Sequence, residues 1–547
     1  MLLLWQSMVA DAAIQCRTSA TRDSKKIARR FEHEGVEVLT LSLPEIGKAF
    51  ERALDLGQVT DDLRSLCGSR AGFPVFLQNF LQLVFGRSDG LLLDKPSPEA
   101  IQAIRQLTLS FGKVSLPCTS AREARAFEDF VKCEQSLRVS DFNLRLHDLE
   151  SFVRIGSVLF GDVFSKIDRD VYEGNITPRH GPGATADKLT GNRKYQQTEW
   201  TDRLEAIFPA SENLVPSLRY YQSLDKVEWL EPGSERPVRV ISVPKTLKTP
   251  RIIAIEPTCM QYMQQGLMER FVQYLQSDKL IGDMVGFDDQ IPNQVMARES
   301  SRKGDLATLD LSEASDRVSN RLVKGLTRYH PYLNEAVLAT RSSRADVPGY
   351  GVIPLSKFAS MGSALTFPME ECVFLTCIFY AIEQELGSRL TRKVVNSFRG
   401  RVRVYGDDLI VPVEFVQPVI DSLELFGFKV NQHKSFWTGK FRESCGKEYY
   451  DGHDISIYRV RTLLPSSRAD APGLISTVSL RNRAYWHGYW GTARYLDELL
   501  TRLIPMPVVG SDSPVLGRES VLGYAEERLH SNYQYPMVWG MMVRTRI

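Results

Sequence analysis

The sequence predicts an α+β fold: an antiparallel sheet with helices packed on one face, set between mostly helical N- and C-terminal regions. Three observations carry this expectation. From Gly304 to about Phe436 the pattern runs strand, helix, hairpin, helix, strand. Inside it, "VRVYGDDLIVP" (Val402 to Pro412) places a glycine and two adjacent carboxylates between two apolar, β-branched runs. The longest strongly apolar run, "VFLTCIFYAI" (Val373 to Ile382), is flanked by Glu370, Glu371, Glu383 and Glu385. It is too short to span a bilayer and predicts a buried helix.

The chain has 547 residues, enough for several domain-sized units or one multi-lobed enzyme. Its net charge is +2, so binding to a polyanion must rest on local basic patches. None of the eight cysteines forms a CxxC pair, and the eight histidines show neither HExxH nor HxxxH. Free thiols in a reducing compartment are expected, and a zinc hydrolase finds no support. The start, "MLLLWQSMVADAA", lacks the basic leader of a signal peptide, and a soluble, intracellular-type protein is expected.

Taken in order, residues 1 to about 170 read as helices with polar breaks such as "DKPSPEA". The loop "RHGPGAT" (Arg179 to Thr185) follows, a turn by composition. In "RPVRVISVPKTLKTPRIIAIEP", two strand-like flanks enclose a loop bearing Lys245, Lys248 and Arg251, with no acid before Glu256. "LATLDL" is a short strand ending near Asp310, with a helix expected from Glu313. A loop at Met361 runs into the long buried helix, and "EFVQPVIDSLELFGF" reads as a second helix, ended by Gly427. "FKVNQHKSF" is a short strand or loop, and about 462 to 547 is a smaller, mostly helical region.

Gly406 supplies the backbone freedom for a tight turn, so Asp407 and Asp408 can approach one point. Alone they would repel one another, and a divalent cation removes the conflict. Asp310, at the end of a separate predicted strand, adds a third carboxylate if the two strands are neighbours in one sheet. Such a set suits two Mg²⁺ ions, which prefer oxygen ligands and act in phosphoryl transfer. Read alone, "GDD" is most often only a turn. Its combination with "DLSEASD" upstream is what points to chemistry. A second basic run, "SRLTRKVVNSFRGRVR", carries Arg389, Arg392, Lys393, Arg399, Arg401 and Arg403 with no acid. It reads either as a solvated helix end or as a phosphate-contacting cluster.

These residues resemble the palm of a viral RNA-dependent RNA polymerase, and more narrowly the replicase of the single-stranded RNA bacteriophages (leviviruses). "TLDLSEASDRVS", "SMGSALTFPMEE" and "VYGDDLIVP" resemble that family's first three palm motifs. "FKVNQHKSFWTGKFRESCGKEYYDGHDI" is similar to the fourth and fifth, and "VPKTLKTPRIIAIEP" to its basic fingers motif. "HGPGAT" also recurs there. The match covers about residues 179 to 460. Ser363 and Ala364 depart from the family's Asn-Gly, which points to a divergent member.

The resemblance implies a right-hand polymerase of fingers, palm and thumb. Residues 1–235 would hold an N-terminal region and part of the fingers. Residues 236–300 would hold the basic motif and the connection to the palm, 301–460 the palm, and 461–547 the thumb. Asp310, Asp407 and Asp408 would bind two Mg²⁺ ions, with Mn²⁺ as a substitute, aided by the Leu311 carbonyl. Asp316 would sense the ribose of the incoming nucleotide, since a 2′-hydroxyl can donate to a carboxylate. Lys245, Lys248 and Arg251 would surround the triphosphate, Gly362 and Thr366 would face template or nucleotide, and Lys434 would protonate departing pyrophosphate.

The implied partners are single-stranded RNA, NTPs, host elongation factors Tu and Ts and a ribosomal RNA-binding protein, without a membrane, in the cytoplasm of an infected bacterium. Three rivals stand beside this reading. A reverse transcriptase is disfavoured by Asp316. A non-catalytic RNA-binding protein that kept the fold has no structural need for Asp310, Asp407, Asp408 and Lys434 together. A metal-dependent nuclease would usually add a His or Glu to the carboxylates.

Overall fold

The computed structural model describes residues 1–215, 217–523 and 528–544. At its centre is a four-stranded antiparallel sheet in the order Arg403–Tyr405, Asp408–Pro412, Leu306–Ser312, Lys429–Val430. Period-2 alternation divides its side chains between two faces. Ala307, Leu309, Leu409 and Val411 enter the largest core. Thr308, Asp310, Asp408 and Ile410 alternate to the other face, where the register sets Asp310 opposite Asp408 and Thr308 opposite Ile410.

The core side is filled by the helices Thr366–Leu386, buried along most of its length, and Val416–Leu425. The predicted strand–helix–hairpin–helix–strand order is present, but a further, unpredicted hairpin, Arg344–Val347 with Gly351–Pro354, precedes the long buried helix, and there are two other differences. The helix expected from Glu313 begins at Asn320. Glu313 adopts a left-handed φ of 56°, a short 3₁₀ turn follows at Ser315–Arg317, and the Ser319 hydroxyl caps the helix by accepting from Leu322 N–H at 3.2 Å. The sheet is also covered on more than one face. The helix Ile291–Lys303 and the hairpin Phe441–Ser444 with Lys447–Tyr450 pack against its other side.

The basic segment forms the predicted hairpin, Val238–Val243 with Arg251–Ile255. It belongs to a second sheet completed by Arg344–Val347 and Gly351–Pro354. Phe130, from the helix Ser120–Asn143, packs into this sheet's small core.

The N-terminal region divides between two cores. The helix Leu146–Tyr172 joins the central one. Residues from the first 114 positions share a second core with Phe436, Phe441, Tyr450, Tyr458 and Leu496. Asp11 ties the two ends of the chain together, because its carboxylate accepts from Gly491 and Thr492 N–H at the start of the helix Trp490–Thr501. All eight cysteines are free thiols. No helix among the described residues is long and apolar enough to cross a membrane.

Candidate active site

Tyr405 pairs with Asp408, which leaves Gly406 and Asp407 as a two-residue turn. Gly406 has φ +55°, and a Cβ there would lie 2.6 Å from the Phe367 ring. Only glycine fits the turn and the approach together. The Gly406 N–H donates to Glu371 Oε1 at 3.1 Å, which anchors the turn on the buried helix.

Asp310 and Asp408 face one another across the strand pair, and like charges directly opposite are unfavourable. Burial, with Asp407 and Asp310 adding to it, pushes the Asp408 carboxyl up to about 7. Burial also raises Asp310, and the Asp407 charge adds to this while Lys434 opposes it. Glu370, buried behind the turn, is pushed up to about 8 by burial and then by Asp407. One oxygen each of Glu370 and Glu371 is buried without a hydrogen-bond partner. Hard oxygen donors with excess negative charge fit a hard divalent cation.

The ligand cage is not assembled, however. Lys434 Nζ and Asn431 Nδ2 donate to the two oxygens of Asp310 at 3.2 and 2.8 Å, and Cys445 N–H donates to Asp408 Oδ2 at 3.1 Å. Among the described residues, no three His, Cys, Asp or Glu side chains converge closely enough to hold a metal ion.

Other expected site residues are placed as follows. Lys245 keeps solvent-exposed surface on its loop, but its ammonium lies within electrostatic reach of Lys434, Asp407 and Asp310, where partial desolvation by the surrounding protein, then the neighbouring cations Arg251 and Lys434, lower its pKa. Lys248 and Arg251 are exposed on the same hairpin. Cys118 Sγ donates to Thr246 O and Arg122 Nη1 to Leu247 O, so the N-terminal region holds this loop. Gly362 has φ +132° and lies against the hairpin backbone, where a Cβ would meet Ala254 O at 2.0 Å. Asp316 accepts from Lys357 and Ser360. Leu311 is a buried core residue paired with Val430.

Thr366, at the start of the buried helix, donates its hydroxyl to Ser360 O at 2.9 Å, closing the loop before the helix. One expectation is corrected. The basic run 388–403 has no acid in sequence, but tertiary contacts supply them. Arg392 pairs with Asp162, Arg399 with Asp283 and Arg401 with Glu414. Arg403 is buried on Asn293 Oδ1 and Asp283 O, so it has no face for phosphate. Arg389 and Lys393 form no ion pair among the described residues.

The loop "RHGPGAT" is pinned by Lys194 Nζ, which donates to Gly181 O at 2.6 Å and to Gly183 O. His180 stacks on Tyr262, and burial lowers it to about 4.

Sequence reading missed Lys357, Ser360, Asn431 and Gln264. Gln264 Oε1 accepts from Ser363 Oγ and Ala364 N–H. Lys357, Ser360 and Asn431 are single polar residues in loops, and Gln264 is a lone polar side chain buried in the helix Thr258–Ser277; none carries a periodic signal, and only tertiary contact reveals them.

A carboxylate-bearing antiparallel hairpin, a partner strand opposite it and a long buried helix beneath have the form of a polymerase palm within an α+β fold. Residues 230–469 carry the pattern of the family described as RNA replicase, beta-chain. The chain is 31% identical over 357 residues to the RNA-directed RNA polymerase subunit beta of Escherichia virus Qbeta, covering 62% of this chain and 55% of that one. It is 35% identical over 224 residues to the RNA-directed RNA polymerase beta chain of Escherichia phage MS2, covering 41% and 37%. The matched part thus spans about half or less of these relatives' lengths. Solved structures similar to it include the RNA-dependent RNA polymerase of a human picobirnavirus, at TM-score 0.32 and 11% identity over 49% of this chain and 55% of that one. Another is the BmCPV RNA-dependent RNA polymerase at elongation state, at TM-score 0.39 and 11% identity over 65% and 34%.

Proposed function

We propose that this chain catalyses RNA-templated RNA synthesis, joining an RNA 3′-hydroxyl to the α-phosphate of an incoming nucleoside triphosphate to copy a phage RNA genome. One observation carries the reading. Asp310 faces Asp408 across paired strands, Asp407 stands at the adjoining turn, and Lys434 reaches Asp310 from a third segment.

In this reading Asp310, Asp407 and Asp408 hold Mg²⁺, with the Leu311 carbonyl as a further oxygen. Bound there, two ions would activate the attacking hydroxyl and offset charge on the leaving phosphate. Lys434 holds a proton. Burial draws its pKa down, but Asp310 and Glu443 outweigh that and raise it above the ordinary lysine value. Released from Asp310, it is placed to donate to departing pyrophosphate. Lys245, Lys248 and Arg251 attract the triphosphate, and Asp316 reads the sugar. Gly362 lets the loop lie against the hairpin, and Arg389 and Lys393 contact RNA. Most of the rate enhancement comes from positioning and charge stabilisation.

The relatives are named as beta subunits, which supports host proteins such as elongation factors Tu and Ts and a ribosomal RNA-binding protein as partners, in the bacterial cytoplasm.

The test is incorporation of labelled NTPs on a short single-stranded RNA with Mg²⁺, beside Asp407→Asn. Product from the wild type and none from the variant is expected. Tight RNA binding without synthesis, even with bacterial elongation factors added, would favour an RNA-binding protein that kept the fold.

A further inference from the structure

Asp316 is positioned by Lys357, which lies outside the quoted motifs, and by Ser360, the first residue of "SMGSALTFPMEE". Its Oδ1 accepts from Lys357 Nζ at 3.1 Å and from Ser360 Oγ at 2.8 Å. The Lys357 side chain is 0% exposed. A buried ammonium is costly unless it is paired, and this one is compensated from two sides. Asp316 supplies the opposite charge, and the Phe130 ring lies 3.7 Å from Nζ, a cation–π contact.

Phe130 belongs to the helix Ser120–Asn143, which sequence reading left without a role. The same helix supplies Glu134, whose carboxylate accepts from the backbone N–H groups of Ser356 and Lys357. It also supplies Cys133, whose thiol approaches Asp316 O at 3.8 Å. Helix, loop and Asp316 turn therefore fix one another.

The Asp316 side chain remains 24% exposed, and no hydrogen bond among the described residues uses its Oδ2. The buried Glu370 lies within electrostatic reach of both Asp316 and Asp407, so the two carboxylates flank the same residue of the buried helix.

We propose that Lys357 is a specificity-determining positioning residue. With Ser360 it occupies Oδ1, clamps the carboxylate against Phe130, and so presents Oδ2 as a fixed acceptor for the ribose 2′-hydroxyl. The inference rests on the polymerase reading and names the group that makes the site select ribose. A site built to bond a hydroxyl rejects the analogue lacking it, because its own acceptor is then left unpaired. Without the clamp the carboxylate turns to water, and the penalty against a deoxynucleotide fades.

The experiment is equilibrium dialysis of the full chain with single-stranded RNA, Mg²⁺ and labelled GTP or 2′-deoxyGTP. The wild type should prefer GTP by about tenfold, the scale of one well-made hydrogen bond to a charged group. Lys357→Met should bring the ratio to within about twofold, by weakening GTP and leaving 2′-deoxyGTP unchanged, and Lys357→Arg should restore most of it. Equal loss of both nucleotides, or an unchanged ratio, overturns the proposal, as does a wild type that binds both alike. If Lys357→Met does not fold, Phe130→Leu decides: it keeps the charge, and a ratio equal to wild type overturns the clamp. Incorporation is measured in parallel. A wild type that discriminates but makes no product supports the clamp and counts against the polymerase reading.

Discussion

At the scale of single residues, the carboxylate cluster makes stability depend on pH. Asp408 is raised to about 7 in the folded chain, whereas a free aspartate titrates near 4 (about 3.9). The folded state therefore keeps a proton that the unfolded state gives up. Between those values stability falls as pH rises, because the unfolded state sheds its proton first. In metal-free buffer, Asp408→Asn should flatten the loss of stability from pH 4 to 7, read by urea denaturation at several pH values. Parallel curves for the two chains would refute the assignment. Gly362 predicts a different kind of cost. A Cβ would stand 2.0 Å from a backbone carbonyl at a φ few other residues adopt. Gly362→Ala should cost about 2 kcal/mol or more by denaturant midpoint, and should move the loop that carries Ser360.

At the scale of elements, the hairpin Phe441–Ser444 with Lys447–Tyr450 is fastened to the N-terminal helices by buried charge. Arg105, on the helix Pro98–Leu109, pairs with Glu51 at 2.8 Å and with Glu448 at 2.9 Å, and donates to Ile455 O at 2.7 Å. Removing one partner of such a set leaves the others buried and unpaired. Arg105→Ala should cost about 3–5 kcal/mol, far more than any exposed pair. Arg30→Ala, which breaks an exposed pair with Glu34, is the control and should cost within about 1 kcal/mol. If thermal unfolding moves equally in both, the buried network does not hold the elements together. The helix Trp490–Thr501 is capped by Asp11 from the opposite end of the chain, and Asp11→Ala should cost about 1 kcal/mol.

At the scale of the whole molecule, the first and last parts of the chain are one packing unit. Leu4, Trp5, Phe50 and Ile104 share a core with Phe436, Tyr458 and Leu496. Deleting residues 1–114 would expose this apolar surface, so the truncated chain should aggregate or lose its cooperative melt, by light scattering and circular dichroism. A soluble, cooperatively folding truncation would show that the central core stands alone. The segment after the helix Pro98–Leu109 also spans two distant parts. Ser115 N–H donates to Arg461 O at 2.7 Å, and Cys118 and Arg122 hold the basic loop. The region without motifs is thus the brace between the basic loop and the stretch around Arg461.

The sequence by itself determined the sheet-and-helix order, the turn at Gly406 and the carboxylates around it. Each rests on local physics: two-residue alternation, a glycine where φ is positive, an apolar run too long to expose. It also pointed to the basic hairpin, whose strands pair as expected. Tertiary structure alone decided which groups meet. It set Asp310 opposite Asp408 with Asp407 at the turn, placed Lys357 and Phe130 behind Asp316, and turned Thr366 and Arg403 inward. It also supplied acids to a basic run that has none in sequence. Those outcomes depend on contacts between residues far apart in the chain, some more than two hundred positions, and such contacts leave no periodic trace. Electrostatic pairing and burial are properties of the packed molecule, which is why the local pattern reads the scaffold and the fold assigns the partners.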